Sequence, residues 1–201
     1  MSDLSAGYLG AFPVQYHRSQ IASGVIGVEH SHASHPTEIT FGRSFSAPRN
    51  GGADAHNAID ICGASGLRIV AACSGTVAEY WRTRNGRHPG VGTSAGGGNF
   101  VVIIDDKNGY FHYYAHMKYP SQVHSGQQIA KGQLLGYLGD TGRARGTPPH
   151  LHYQVSIRDA RHMLQSFLNP YSELRRLVSR WEPTVTHGRV VIPVRCGGPS
   201  G

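Results

Sequence analysis

The chain has 201 residues, 39% of them hydrophobic and 15% charged, with a net charge of +7 and a pI near 9.6. That length can bury one well-formed domain plus an extension, and no apolar run reaches the roughly 18 residues that a membrane span needs. The basic balance points to an anionic partner, but lysine and arginine are scattered and no nucleic-acid motif accompanies them, so nucleic-acid binding is not expected.

From the N-terminus, "MSDLSAGYLGAFPVQYHRSQ" lacks the basic head and apolar core of a signal peptide. Residues 1–37 form an unassigned N-terminal extension, and "EHSHASHPTE" (29–38) reads as a histidine-containing loop rather than a second metal site. Next come short runs with period-two alternation: 38–45, 58–61, 68–81, 99–105, 110–117, 134–138 and 151–157. Between them lie many of the 27 glycines, a pattern of short strands and tight turns that predicts an all-β or mainly β domain. Cys62 and Cys73 flank a strand-turn-strand and could pair as a disulfide or stand as two buried thiols; with Cys196 they show no CxxC spacing, which argues against a cysteine zinc site. The stretch 82–99 reads as a long glycine-rich loop bordering a binding site, and "KNG" (107–109) as a hairpin turn. "NPYSELRRLVSRW" (169–181) predicts one helix, with Asn169 as cap and Pro170 in the first turn. Residues 182–201 read as a short strand in a mobile tail.

Four of the 13 histidines stand where chemistry is expected: His56 in "HNAID", His116 at the end of "YYAHM", and His150 and His152 in "PPHLHYQV". On a strand, His150 and His152 face the same side. Two histidines and a carboxylate suit a catalytic zinc that keeps one position open. His56 and Asp60, four apart, would be about 13 Å apart on a straight strand, so the turn-forming "NGGADAHN" must bend to bring them together.

These motifs closely resemble those of the lysostaphin-like (LytM-like) zinc endopeptidases. "GLRIVAACSGTV", "GGGNFVVIIDDKNGYFHYYAHM" and "SGQQIAKGQLLGYLGDTGRARGTPPHLHYQV" extend the likeness over about residues 38 to 173. The resemblance implies a small antiparallel β-sheet domain (38–181) whose groove is floored by Zn²⁺. It implies His56, Asp60 and His152 as ligands, His116 and His150 as unliganded catalytic histidines, and the peptides of bacterial peptidoglycan as substrate. Metal-activated water needs a base and an oxyanion donor, and the two free histidines can share that work. Tyr114, one strand step before His116, either lines the groove or packs within the sheet, Asn99 is expected to line the groove, and "TPPH" departs from the family's shorter lead-in and should reshape one wall. Arg82, Arg84 and Arg87 could meet substrate carboxylates, although a solvated loop is the simpler reading.

"GTSAG" (92–96) matches the serine-hydrolase elbow, and "GVGTSA" touches the dinucleotide fingerprint, but neither has the flanking strand and helix such motifs require. Some relatives lose zinc ligands and act as wall-binding regulators of other hydrolases; the complete histidine set favours an enzyme. Work in the bacterial envelope, by periplasm or cell wall, is implied. Delivery could come from phage lysis, a separate export signal or a toxin-carrying secretion system, the last bringing an immunity protein as partner.

Overall fold

A computed structural model describes residues 9–15, 39–49, 52, 54–83, 86–178, 184–186 and 189–192. In chain order the strands are β1 (Val14–Gln15), β2 (Ile39–Gly42), β3 (Pro48–Arg49), β4 (Asp54–Ala55), β5 (Ile59–Cys62), β6 (Arg68–Val70), β7 (Gly75–Val77), β8 (Tyr80–Thr83), β9 (Gly86–Pro89) and β10 (Val91–Ser94). They continue with β11 (Gly98–Asp105), β12 (Phe111–Met117), β13 (Gln128–Ile129), β14 (Leu134–Tyr137), β15 (His150–Arg158) and β16 (Leu164–Leu168). Helix α1 (Tyr171–Val178), β17 (Thr184–Thr186) and β18 (Arg189–Ile192) close the chain.

The main sheet is antiparallel and runs β13-β7-β11-β12-β15-β5-β2-β18-β17, with β10 also on β11 and β16 also on β15. Its centre is the β11–β12 hairpin and β15, where burial alternates along His150–Val155: Leu151, Tyr153 and Val155 are buried, while His150, His152 and Gln154 are half-buried on the opposite face. That alternation lets one strand serve a core and a site together. The inner face packs Phe41, Ile59, Ile61, Val101, Ile103, Tyr114 and Tyr153 against the small sheet β1-β6-β14, the segment at Leu9–Val14, and Tyr171 and Leu174 of α1. The outer face carries a lesser cluster of Ala78, Phe100, Val102, Phe111 and Ala115, with Trp81 and Tyr113 against it.

Several expectations change. The 82–99 loop is two hairpins, β8–β9 and β10–β11, with Gly86 and Gly98 taking positive φ where each returning strand begins. "GTSAG" is therefore the end of a strand and its turn, followed by another strand. The run 68–81 is three strands in different sheets, since Ala71–Ser74 breaks the pairing. Cys62 and Cys73 are not joined to each other: Cys62 lies on β5, while Cys73 is buried beside Asp105 and His112. Asn169 caps α1, its Oδ1 accepting the Tyr171 amide N–H at 3.0 Å. The described helix ends at Val178, and 179–181, like 29–38 and Cys196, lies outside the described residues. At the N-terminal end the small sheet gains β1, which the sequence reading did not place and which pairs with β6; within 182–201 the expected short strand is two, β18 pairing with β2 and β17 with β18.

Candidate metal centre and active site

The structure brings His56, Asp60 and His152 to one point. The chain leaves β4 at Ala55, bends through His56–Ala58 and re-enters the sheet at Ile59, the turn that the spacing of His56 and Asp60 demanded. His152 stands directly across from Asp60 in the β15–β5 pairing. His56 Nε2 lies 3.1 Å from Asp60 Oδ1 and 3.1 Å from His152 Nδ1, and His152 Nδ1 lies 3.3 Å from Asp60 Oδ1. A tetrahedral ion with bonds of about 2.0–2.1 Å has edges of about 3.3 Å, so this nearly equilateral triangle fits a zinc-sized ion. Two nitrogens and one carboxylate oxygen are the donor types such an ion takes.

Protonation suits the same purpose. Burial alone would raise the Asp60 carboxyl, but the adjoining imidazoles of His152 and His56 outweigh it and hold the group well below the usual carboxylate range. Burial pushes His152 down, toward the neutral imidazole that ligation requires. The ring orientation of His56 is set from behind: its Nδ1 lies 2.9 Å from the Ser44 carbonyl, which can only accept, so Nδ1 carries the proton and Nε2 presents its lone pair.

His116 reaches this point through a β-bulge. Val101 faces Tyr114 and Asn99 faces Met117, so Ala115 and His116 together oppose Phe100. His116 has φ +65°, the left-handed region, which costs a non-glycine residue about 1–3 kcal/mol. The strain is held by its N–H to the Gly97 carbonyl at 2.8 Å and by its Nδ1–H to the Thr141 carbonyl at 2.8 Å. Behind it, the Thr141 hydroxyl donates to the Met117 carbonyl at 2.7 Å and accepts the Asn99 N–H at 3.0 Å. Gly98 and Gly142 allow this close approach, for a Cβ on Gly142 would stand 2.2 Å from the Gly98 nitrogen.

Two expected groove residues prove to be supports. Tyr114 is fully buried on the inner face, its hydroxyl accepting the Ala72 N–H at 2.9 Å, because the bulge puts His116 and Tyr114 on opposite faces. Asn99 is 7% exposed; its Nδ2 donates to the Met117 carbonyl at 3.1 Å and its Oδ1 accepts the Thr93 hydroxyl at 2.7 Å, leaving it behind His116 rather than beside substrate.

His150 enters from the other side. Its Nδ1 lies 2.9 Å from the Pro148 carbonyl, the point where "TPPH" shapes the site. The His116 ring centroid is 5.0 Å from that of His150 and 5.7 Å from that of His152, so all five predicted residues share one cluster. Burial, then the His150 and His152 charges, lower His116 to about 4, so its ring is neutral at physiological pH.

Sequence reasoning missed Ser44, Thr141 and Tyr113. Tyr113, not Tyr114, meets the site: its ring stands edge-on to His152 at 6.2 Å and 5.6 Å from Trp81 on the β8–β9 wall. The signal was available in the pairing of Ala115 with His152, which sets the face Tyr113 shares. On the same wall Arg87 lies 3.8 Å and Arg82 5.6 Å from the Tyr80 ring centroid, so both guanidinium groups rest on protein rather than in open groove. Arg84 lies outside the described residues.

Comparison with known proteins agrees with this geometry. The chain is 36% identical over 103 residues to the peptidoglycan DD-endopeptidase ShyA of Vibrio cholerae, covering 51% of this chain and 20% of that protein. It is 31% identical over 131 residues to an L-Ala–D-Glu endopeptidase of Bacillus subtilis, covering 62% of this chain and 36% of that protein. The chain thus spans only about a fifth to a third of the length of these curated relatives. Among solved structures, the catalytic domain of lysostaphin from Staphylococcus simulans is 25% identical with a TM-score of 0.51, over 73% of this chain and 99% of that one. Residues 54–164, more than half of the chain and the stretch that holds His56, Asp60, His116, His150 and His152, match Peptidase family M23, and the protein belongs to that family.

Proposed function

We propose that the protein is a zinc-dependent endopeptidase that hydrolyses peptide bonds in bacterial peptidoglycan, acting in the cell envelope. The observation that carries this reading is the triangle of His56 Nε2, Asp60 Oδ1 and His152 Nδ1 with two unliganded histidines at its rim. Zinc held by the three donors would polarise the scissile carbonyl and lower the pKa of a bound water.

His116 and His150 do the proton work. Each faces a backbone carbonyl with Nδ1, which therefore carries a hydrogen, so the lone pair that can take a proton is at Nε2. His116, kept neutral by burial, is free to take a proton. An imidazole that has gained one becomes a donor at Nε2, able to steady an oxyanion and pass the proton to the leaving amine. The names of the Vibrio and Bacillus relatives support peptidoglycan peptides as the substrate class. The reading as a wall-binding regulator draws no support from a site with all five groups in place.

The test is digestion of purified peptidoglycan by zinc-loaded protein beside a chelator-treated control, with mass analysis of the fragments. Zinc-dependent release of shortened or uncrosslinked peptides is the expected result. No release from Gram-negative and Gram-positive walls alike, with zinc bound, would overturn the reading.

A further inference from the structure

A second concave site lies on another part of the molecule. It is a cleft of about 480 Å³ between the end of β2 and α1, lined by Arg43, Asn169, Tyr171, Ser172, Arg175 and Arg176. Tyr171 is buried and packs edge-on against Phe41, with ring centroids 5.9 Å apart, on the inner face of the main sheet. The metal donors occupy the opposite face, so the cleft and the groove are distinct.

The charges in the cleft are not balanced from within. Arg176 pairs with Glu173 at 3.0 Å and donates to the Leu9 carbonyl at 2.8 Å. Arg43 sits over the Tyr171 ring at 5.3 Å, and among the described residues neither it nor Arg175 has a carboxylate partner. Arg43 and Arg175, without a carboxylate partner among the described residues, line one concave surface together with Ser172. Like charges held together repel, and an oxyanion placed between them removes that penalty. The guanidinium fork matches phosphate and carboxylate geometry, and packing against Tyr171 limits the freedom Arg43 would lose on binding.

We propose that this cleft binds oxyanions, the phosphate or carboxylate groups carried along an anionic envelope polymer, and so holds the enzyme on its substrate. The choice of an envelope polymer rests on the peptidoglycan reading above. A polymer that presents one such group after another keeps the local concentration of ligand high, so a site of modest affinity suffices to retain the protein. Arg43 directly precedes Ser44, which braces His56 and Asp60, so the anchor is one peptide bond from the support of the metal centre.

The test compares wild type, Arg175→Glu and Arg43→Glu/Arg175→Glu. Each is sedimented with isolated sacculi, with sacculi stripped of phosphate-bearing polymer, and with phosphatidylglycerol vesicles; cleavage of a short soluble wall peptide is followed in parallel. The double variant should bind intact sacculi about tenfold more weakly or worse, the scale of one lost charge-assisted contact. Arg175→Glu, on the exposed face of the helix, should fall between and guards against a folding defect at Arg43. Short-peptide cleavage should be unchanged in both, and wild-type binding should weaken with added salt. Loss of wild-type binding on stripping assigns the phosphate groups, and retention assigns carboxylates; either agrees with the proposal. Undiminished sacculus binding by the double variant would overturn it, as would a defect confined to the vesicles. If wild type cuts no wall peptide while sacculus binding still depends on the arginines, the peptidase reading fails and the anchor stands.

Discussion

The Ser44 hydroxyl accepts the Asp60 amide N–H at 3.1 Å, while the carbonyl of the same serine fixes His56. One residue thus braces two of the three proposed zinc ligands from the loop after β2. Ser44→Ala keeps the carbonyl and loses the hydroxyl. Such outer supports typically contribute about 10–100-fold in metal affinity. Competition with a chromogenic chelator should show zinc bound about tenfold more weakly, with activity restored by excess zinc. Wild-type affinity in the variant would remove Ser44 from the site.

The five central residues should separate into two classes. His152→Ala should lose the metal and the activity together. His116→Ala and His150→Ala should keep a full equivalent of zinc while kcat/KM falls by about 10²–10⁴-fold. Metal content by elemental analysis beside peptide turnover distinguishes the two, and full activity in any of the three would refute the assignment.

Gly142→Ala tests the close contact that holds Thr141 under His116. Gly142 has φ +69°, a conformation that costs an L residue about 1–2 kcal/mol, and the added Cβ would also press on the Gly98 backbone. Urea unfolding should show a loss of more than about 1 kcal/mol, with reduced turnover at unchanged zinc content.

Tyr114→Phe should do the reverse. It leaves the buried Ala72 N–H without its acceptor, a cost of about 1–3 kcal/mol, while sparing the outer face. Stability should fall and kcat/KM of the zinc-loaded protein should hold. A large loss of activity in a folded variant would return Tyr114 to the groove.

Acid should destabilise the fold through His112. Burial lowers this fully buried histidine to about 3, against about 6.5 in an unfolded chain. Between those values the unfolded state binds the extra proton, so the fold loses stability as pH drops below about 6.5. The His112 contribution at pH 5 is a loss of about 2 kcal/mol relative to neutral pH. His112→Gln, which cannot titrate and can still reach the Tyr153 hydroxyl, should flatten that part of the pH–stability curve in metal-free protein. An equally steep variant would assign the acid limb to other groups.

Much of this architecture was legible in the sequence because it is local. Alternation in 151–157 and 99–105 gave the central strands, and Asn169-Pro170 gave the start of the helix, where the first turn needs a cap and no proline N–H. The five site residues could be named because the family's motifs are compact. Tyr114 and Asn99 were misplaced because alternation was carried through to His116, and a bulge is a property of two strands rather than one. Ser44 and Thr141 reach His56 and His116 through backbone carbonyls, which any residue possesses, and their hydroxyls meet only backbone groups distant in sequence, so no local pattern gave a hint of them. The strand at 14–15 is too short for periodicity to register, and the partners of β1 and β18, β6 and β2, are distant in sequence, so the pairing of neither could be read locally.

The bulge at His116 acts as a parity change within β12. Up to Tyr114, even-numbered residues of this strand turn inward, so His112 is sealed into the core; after one extra residue, even-numbered His116 turns outward. The same strand therefore carries two histidines of opposite fate, distinguished by a single inserted position rather than by their chemistry. A one-residue deletion between Tyr114 and Met117 would restore strict alternation and leave the metal without its neighbour. Substitutions at Phe111, Tyr113 or Ala115 would leave the aim of His116 intact. Insertions and deletions, more than exchanges, are the changes to which the His116 end of this strand is exposed.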